Sequence, residues 1–116
     1  MSEVINQLED QLVREKTLVK MRDAALRLAD NKDFRDLILN GFCLTEAARY
    51  VQESGDPMVP AANRADALAM AQAAGHLKRF LSIQVQIGNT AHNTIPDTEM
   101  QLDELRASPE EEEGDE

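Results

Sequence analysis

Large side chains for filling an interior are scarce in this chain. It has no tryptophan, one tyrosine and three phenylalanines, so aromatics make up 3% of its 116 residues. A single domain of this length buries only about two-thirds of the surface its unfolded chain exposes, and with so few aromatics any core is thin. The lone cysteine, Cys43, excludes an intrachain disulfide framework and suits a reducing compartment. Its neighbours Phe42 and Leu44 give it an apolar setting that blunts a thiol, so it reads as a packing residue. No apolar run approaches the roughly 20 residues of a membrane span. The opening Met-Ser-Glu-Val-Ile lacks the basic and apolar blocks of a signal peptide. Cytoplasmic synthesis with no membrane partner is therefore expected.

Basic residues are also few. Twelve Lys and Arg stand against 22 Asp and Glu, a net charge of −10. The imbalance sits at one end: Asp97 to Glu116 holds ten acids and one base, Arg106, which leaves the rest at −1. Nucleic-acid binding requires a basic surface that displaces counterions, so no direct contact with nucleic acid is expected. Leu44-Thr45-Glu46-Ala47-Ala48-Arg49 is similar to the opening of a helix-turn-helix. The chain then continues Glu53-Ser54-Gly55-Asp56-Pro57, which puts acids where phosphates would lie.

Catalytic constellations are missing as well. His76 and His92 lie sixteen residues apart and belong to no H-E-x-x-H spacing. None of the five glycines forms a phosphate-binding loop, and there is no G-x-S-x-G elbow. No catalytic, cofactor-binding or metal-binding residues are assigned, no cofactor is expected, and the chain reads as a non-enzyme.

What the chain does have is Ala, Leu, Met, Glu, Gln and Arg, the strongest helix formers. The predicted fold is all-α: two long helices with a short-helix corner between them, a helical hairpin or bundle, and a disordered acidic C-terminal tail. Ser2 is a candidate N-cap for a helix over about 3–30. Its apolar positions Ile5, Leu8, Leu12, Val19 and Leu26 follow heptad-like spacing, interrupted by Glu15 and Arg22. Leu18, Met21, Ala25 and Leu28 offer a second, rotated stripe. Asn31-Lys32-Asp33 breaks the pattern, and a short helix over 33–40 ends at Gly41, read as a left-handed C-terminal cap. Thr45 can cap a helix over 45–53, which Ser54-Gly55-Asp56-Pro57 closes.

A second long helix is predicted over 62–87, stopped by Gly88-Asn89. Its interior Gly75 suggests close approach of another helix. Residues 89–96 read as a loop that completes a body of residues 1–96. A short amphipathic helix follows over 97–107, and 108–116 cannot bury apolar surface and reads as a free tail.

The segment Asn31-Lys32-Asp33-Phe34 … Ile38-Leu39-Asn40-Gly41-Phe42 … Glu46-Ala47-Ala48-Arg49 resembles the central motif of a family of small helical proteins of tailed bacteriophages. The layout is similar too: a charged first helix, an Asp-Pro loop at Asp56-Pro57, a long helix and an acidic end. That family generally has no assigned activity and tends to be encoded among head and packaging genes. The resemblance implies a virion or head-assembly accessory protein in the cytoplasm of an infected host or in the virion, with phage capsid, portal or scaffold proteins as partners.

Physically, Phe34, Leu37, Ile38, Gly41, Phe42, Glu46 and Arg49 read as a structural corner, with Arg49 pairing to Asp36 or Glu46 or satisfying carbonyls at the corner. Ile5, Leu8, Leu12, Val19, Leu77, Leu81 and Val85 are candidate contacts for a homo-oligomer, because a hairpin alone has too little surface to bury them. The alternative is a phage regulatory or counter-defence factor that binds a host protein through its acidic tail.

Overall fold

A computed structural model describes residues 2–108, and every element in it is helical: α1 (Ser2–Asp30), α2 (Lys32–Phe34), a π-helix (Arg35–Glu46), α3 (Ala47–Ser54) and α4 (Ala61–Arg106). The fold is all-α. The acidic segment read as a free tail lies, from Pro109 onward, outside the described residues.

α1 follows its sequence closely. It runs for 29 residues with Glu3 in its first turn and Arg27 in its last, each placed favourably against the helix dipole. It ends because Asn31 turns extended and accepts a 2.9 Å hydrogen bond from the Phe34 amide, which caps the next helix.

The corner departs from expectation. Lys32 to Ser54 is helical without a break, so the two short helices predicted over 33–40 and 45–53 are joined through the π-helix. Gly41 is not a left-handed cap, since no described glycine has positive φ. Thr45 caps nothing. The i→i+5 winding carries the chain through both positions, and a Cβ on Gly41 would sit 3.0 Å from the Asp36 carbonyl oxygen five residues back. After α3, Asp56 organises the turn by accepting from the Met58 amide at 2.9 Å through Oδ1, and α4 starts directly after Pro60.

α4 is the larger correction. It runs 46 residues, straight through the predicted stop at Gly88-Asn89, the predicted loop over 89–96 and the predicted separate helix over 97–107. Gly88 is buried for a tertiary reason: a Cβ there would lie 2.1 Å from Arg22 Cβ and 3.0 Å from the Leu18 carbonyl oxygen of α1. Asn89 is drawn into the same contact, accepting from Arg22 Nη1 at 3.1 Å. Pro96 lacks the amide that would bond the His92 carbonyl and costs about 3 kcal/mol in a helix interior. The helix persists because the turns beyond it are held: Thr98 and Leu102 are each 1% exposed.

Two compact units divide the described chain. One comprises 2–23 with 84–108, the other 24–83. In the first, α1 and α4 run antiparallel, tied by Arg106 to Glu9 at 3.6 Å, Gln11 Nε2 to Thr98 Oγ1 at 3.3 Å, and Arg22 to Asn89. Glu15 and Arg22 do not interrupt its seam. Glu15 is buried and Arg22 half-buried at the positions seven and fourteen residues after Leu8, while Met21 of the rotated stripe is exposed. In the second unit, Ala25, Cys43, Ala67 and Ala74 form the buried set, and the Cys43 thiol lies 3.8 Å from the Ala74 carbonyl oxygen. Leu28, also of the rotated stripe, is exposed there.

Gly75 proves to be open: a Cβ there meets nothing within 4 Å. The two glycines of α4 therefore predict opposite outcomes. Gly75→Ala should raise stability by about 0.5–1 kcal/mol through helix propensity. Gly88→Ala should lower it by roughly 1–3 kcal/mol, because the helices must separate to admit the methyl. Urea denaturation of the two variants checks both.

Candidate functional site

The residues that meet inside the chain are small. Its fully buried apolar set is Ala25, Cys43, Ala67, Ala74, Ala91 and Leu102, in which only leucine is large. Larger apolar side chains are displaced outward, and that outward surface is the candidate site.

In the unit of residues 24–83 the displacement follows from the π winding. Positions that face inward come four to five residues apart: Phe34, then Ile38 and Leu39, Phe42 and Cys43, and Glu46 and Ala47. Leu37 and Leu44 fall between these turns and are 71% and 63% exposed. Of the predicted corner residues, Phe34, Ile38, Gly41, Phe42 and Glu46 are half-buried as expected, whereas Leu37 is not an anchor. Leu39 and Cys43 take that part, and both were missed as corner residues because α-helical spacing was assumed. Val51 on α3, with Leu68 and Phe80 on α4, extends the exposed apolar surface of this unit.

Charged groups of the corner are satisfied locally. Arg49 pairs with Glu46 at 2.7 Å and with Glu53 at 3.3 Å, and its guanidinium stands 4.6 Å from the centre of the Tyr50 ring. The hydrogen bond to Glu46, followed by that residue's charge, holds the Arg49 guanidinium above its ordinary pKa. Asp36 is taken by Lys32 at 2.8 Å, so of the two predicted partners Arg49 has Glu46. These exposed pairs are worth a few tenths of a kcal/mol each. They orient side chains without forming a reactive centre.

The predicted oligomer contacts are all half-buried within the chain's own packing: Ile5, Leu8, Leu12, Val19 and Val85 in one unit, Leu77 and Leu81 in the other. The more exposed apolar side chains of the first unit are Val4, Val13, Met21, Ile87 and Met100.

Two concavities stand beside these surfaces. One, of about 470 Å³, is lined by Glu15, Leu18, Gln86, Ile87, Thr90, Ala91 and Thr94. The other, of about 200 Å³, is lined by Tyr50, Glu53, Asn63, Asp66, Ala67 and Met70. His76 and His92 are exposed, and no group of three His, Cys, Asp or Glu side chains among the described residues is arranged to hold a metal ion. No helix of the described residues is long and apolar enough to cross a membrane. In comparisons with known proteins the chain matches no family model, no curated protein and no solved structure.

Stability should sort these residues by side. Leu37→Ala and Leu44→Ala should each change it by no more than about 0.5 kcal/mol, as exposed substitutions do. Cys43→Leu should cost about 1–3 kcal/mol by overpacking the site against Ala74. Urea midpoints of the three variants provide the comparison.

Proposed function

We propose that the protein is a non-enzymatic bacteriophage head-assembly accessory protein that acts by helix-mediated self-association and by contacts with other virion proteins. The observation that carries self-association is the number of large apolar side chains left exposed, among them Val13, Leu37, Leu44, Val51, Leu68 and Phe80, while most of the fully buried apolar residues are alanines. Full burial of one such large apolar side chain contributes about 1.5–3 kcal/mol. Association costs an estimated 4–15 kcal/mol in lost rigid-body freedom. A handful of residues from the set Leu37, Leu44, Val51, Leu68 and Phe80 is enough to offset that cost.

The assembly setting rests on the resemblance carried by the segment Asn31 to Arg49, which from Lys32 onward is one uninterrupted helical stretch in which Lys32 pairs with Asp36 and Arg49 with Glu46. Bacteriophage capsid, portal or scaffold proteins are the partners this reading implies.

Sedimentation at micromolar concentrations should show a dimer or larger species, and a fully helical monomer would overturn self-association. Mass spectrometry of purified particles and of immature shells should find the protein in at least one of them. Absence from both would overturn the assembly role.

A further inference from the structure

Glu15 is the most unusual residue of the seam between α1 and α4. It is only 8% exposed, and its Oε1 has no hydrogen-bond partner among the described residues. It lines the 470 Å³ groove, whose walls are Leu18, Ile87, Ala91 and the side chains of Thr90 and Thr94. Neither threonine answers the carboxylate: Thr90 donates to the Gln86 carbonyl at 3.2 Å and Thr94 to the Thr90 carbonyl at 2.8 Å. Arg22, seven residues along the same seam, is engaged by Asp23 at 3.0 Å and by Asn89. A buried carboxylate oxygen without a partner is costly, and an apolar-walled groove beside it favours a cation on an aliphatic stem.

The outward face of α1 carries that chemistry. Val13 is 64% exposed and Met21 45%, and Lys16 and Lys20 are exposed between them. At 100° per residue, Val13, Lys16, Lys20 and Met21 fall within an arc of about 140° on one side of the helix. This is a basic stripe with an apolar residue at each end, opposite in charge to the groove and matched to its apolar walls.

We infer that the groove receives the outward face of α1 from a second copy of this chain, with Lys16 or Lys20 of that copy brought to Glu15. The inference rests on the self-association proposed above and names its contact. Groove and inserting face are different surfaces, so the contact is heterologous: each copy offers a groove to one neighbour and a face to another. Such a contact closes a ring or extends a chain instead of stopping at a dimer.

Sedimentation velocity over a concentration series tests this on the full chain. The double variant Lys16→Glu/Lys20→Glu changes only exposed side chains, and Glu15→Gln keeps the shape of the seam. Each should raise the concentration for half-association at least tenfold without loss of helicity by circular dichroism. A Glu15→Lys chain that remains helical should be equally impaired alone. Mixed in equal amounts with the double lysine variant it should associate again, since both junctions then join opposite charges.

A wild-type chain that associates while the double lysine variant and Glu15→Gln match it would overturn this contact and leave self-association standing through the other apolar surfaces. A monomeric wild type would overturn both. Failure of two folded, impaired variants to recover on mixing would overturn the charge pairing.

Discussion

The close approach of backbones permitted by small side chains is the constraint on which the rest of this structure depends. Where Gly88 meets α1, no Cβ fits against Arg22 and the Leu18 carbonyl. In the other unit, Ala67, Ala74 and Cys43 allow similarly tight packing, close enough to place the Cys43 sulfur 3.8 Å from the Ala74 carbonyl. Close packing recovers dispersion energy, but an alanine methyl removes little apolar area from water, and hydrophobic stabilisation scales with that area. Helix propensity and length must therefore supply much of the stability of α1 and α4. Large apolar side chains that this packing leaves over, such as Val13, Leu37 and Leu44, become surface.

A seam between two long helices must also be fixed against sliding. In the unit that contains the C-terminal half of α4, polar contacts fix it. Gln11 reaches Thr98, Arg22 reaches Asn89, and Arg106 lies near Glu9. A one-residue slip would break each of these pairs and drive Gly88 away from the only spacing its missing side chain serves. Individually, exposed or part-buried polar pairs contribute little to stability. Their value is in register, the role best attested for polar groups placed in helix seams.

Much of the helical content was legible in the sequence because it depends on local chemistry. α1 lies within a residue of its predicted span, Asn31 breaks it, and the turn at Asp56-Pro57 closes α3 as Gly-Asp-Pro signals require. What was not legible depends on distant residues. Gly88-Asn89 has the form of a helix stop, and only the presence of Arg22 across the seam turns it into a packing contact. Pro96 reads as a break until the burial of Thr98 and Leu102 beyond it is known. Gly75 and Gly88 are indistinguishable in isolation, yet one faces open space and the other a backbone. Glu15 was open to a better reading. Leu8, Glu15 and Arg22 are spaced by sevens, which marks two charged residues as members of the seam.

The corner shows how one segment can carry two apolar faces. Phe34, Leu37, Gly41, Leu44, Ala48 and Val51 alternate steps of three and four, the spacing of one continuous stripe on an α-helix. Ile38, Leu39, Phe42, Cys43 and Ala47 form the competing set, adjacent positions that recur every four residues, and this set lies toward the interior. The α-helix is intrinsically the better winding, since π turns are rare and usually limited to a single bulge. Here the π turn brings Phe42 and Cys43 inward together, with the Cys43 sulfur against the Ala74 carbonyl, and the same winding leaves Leu37 and Leu44 outside.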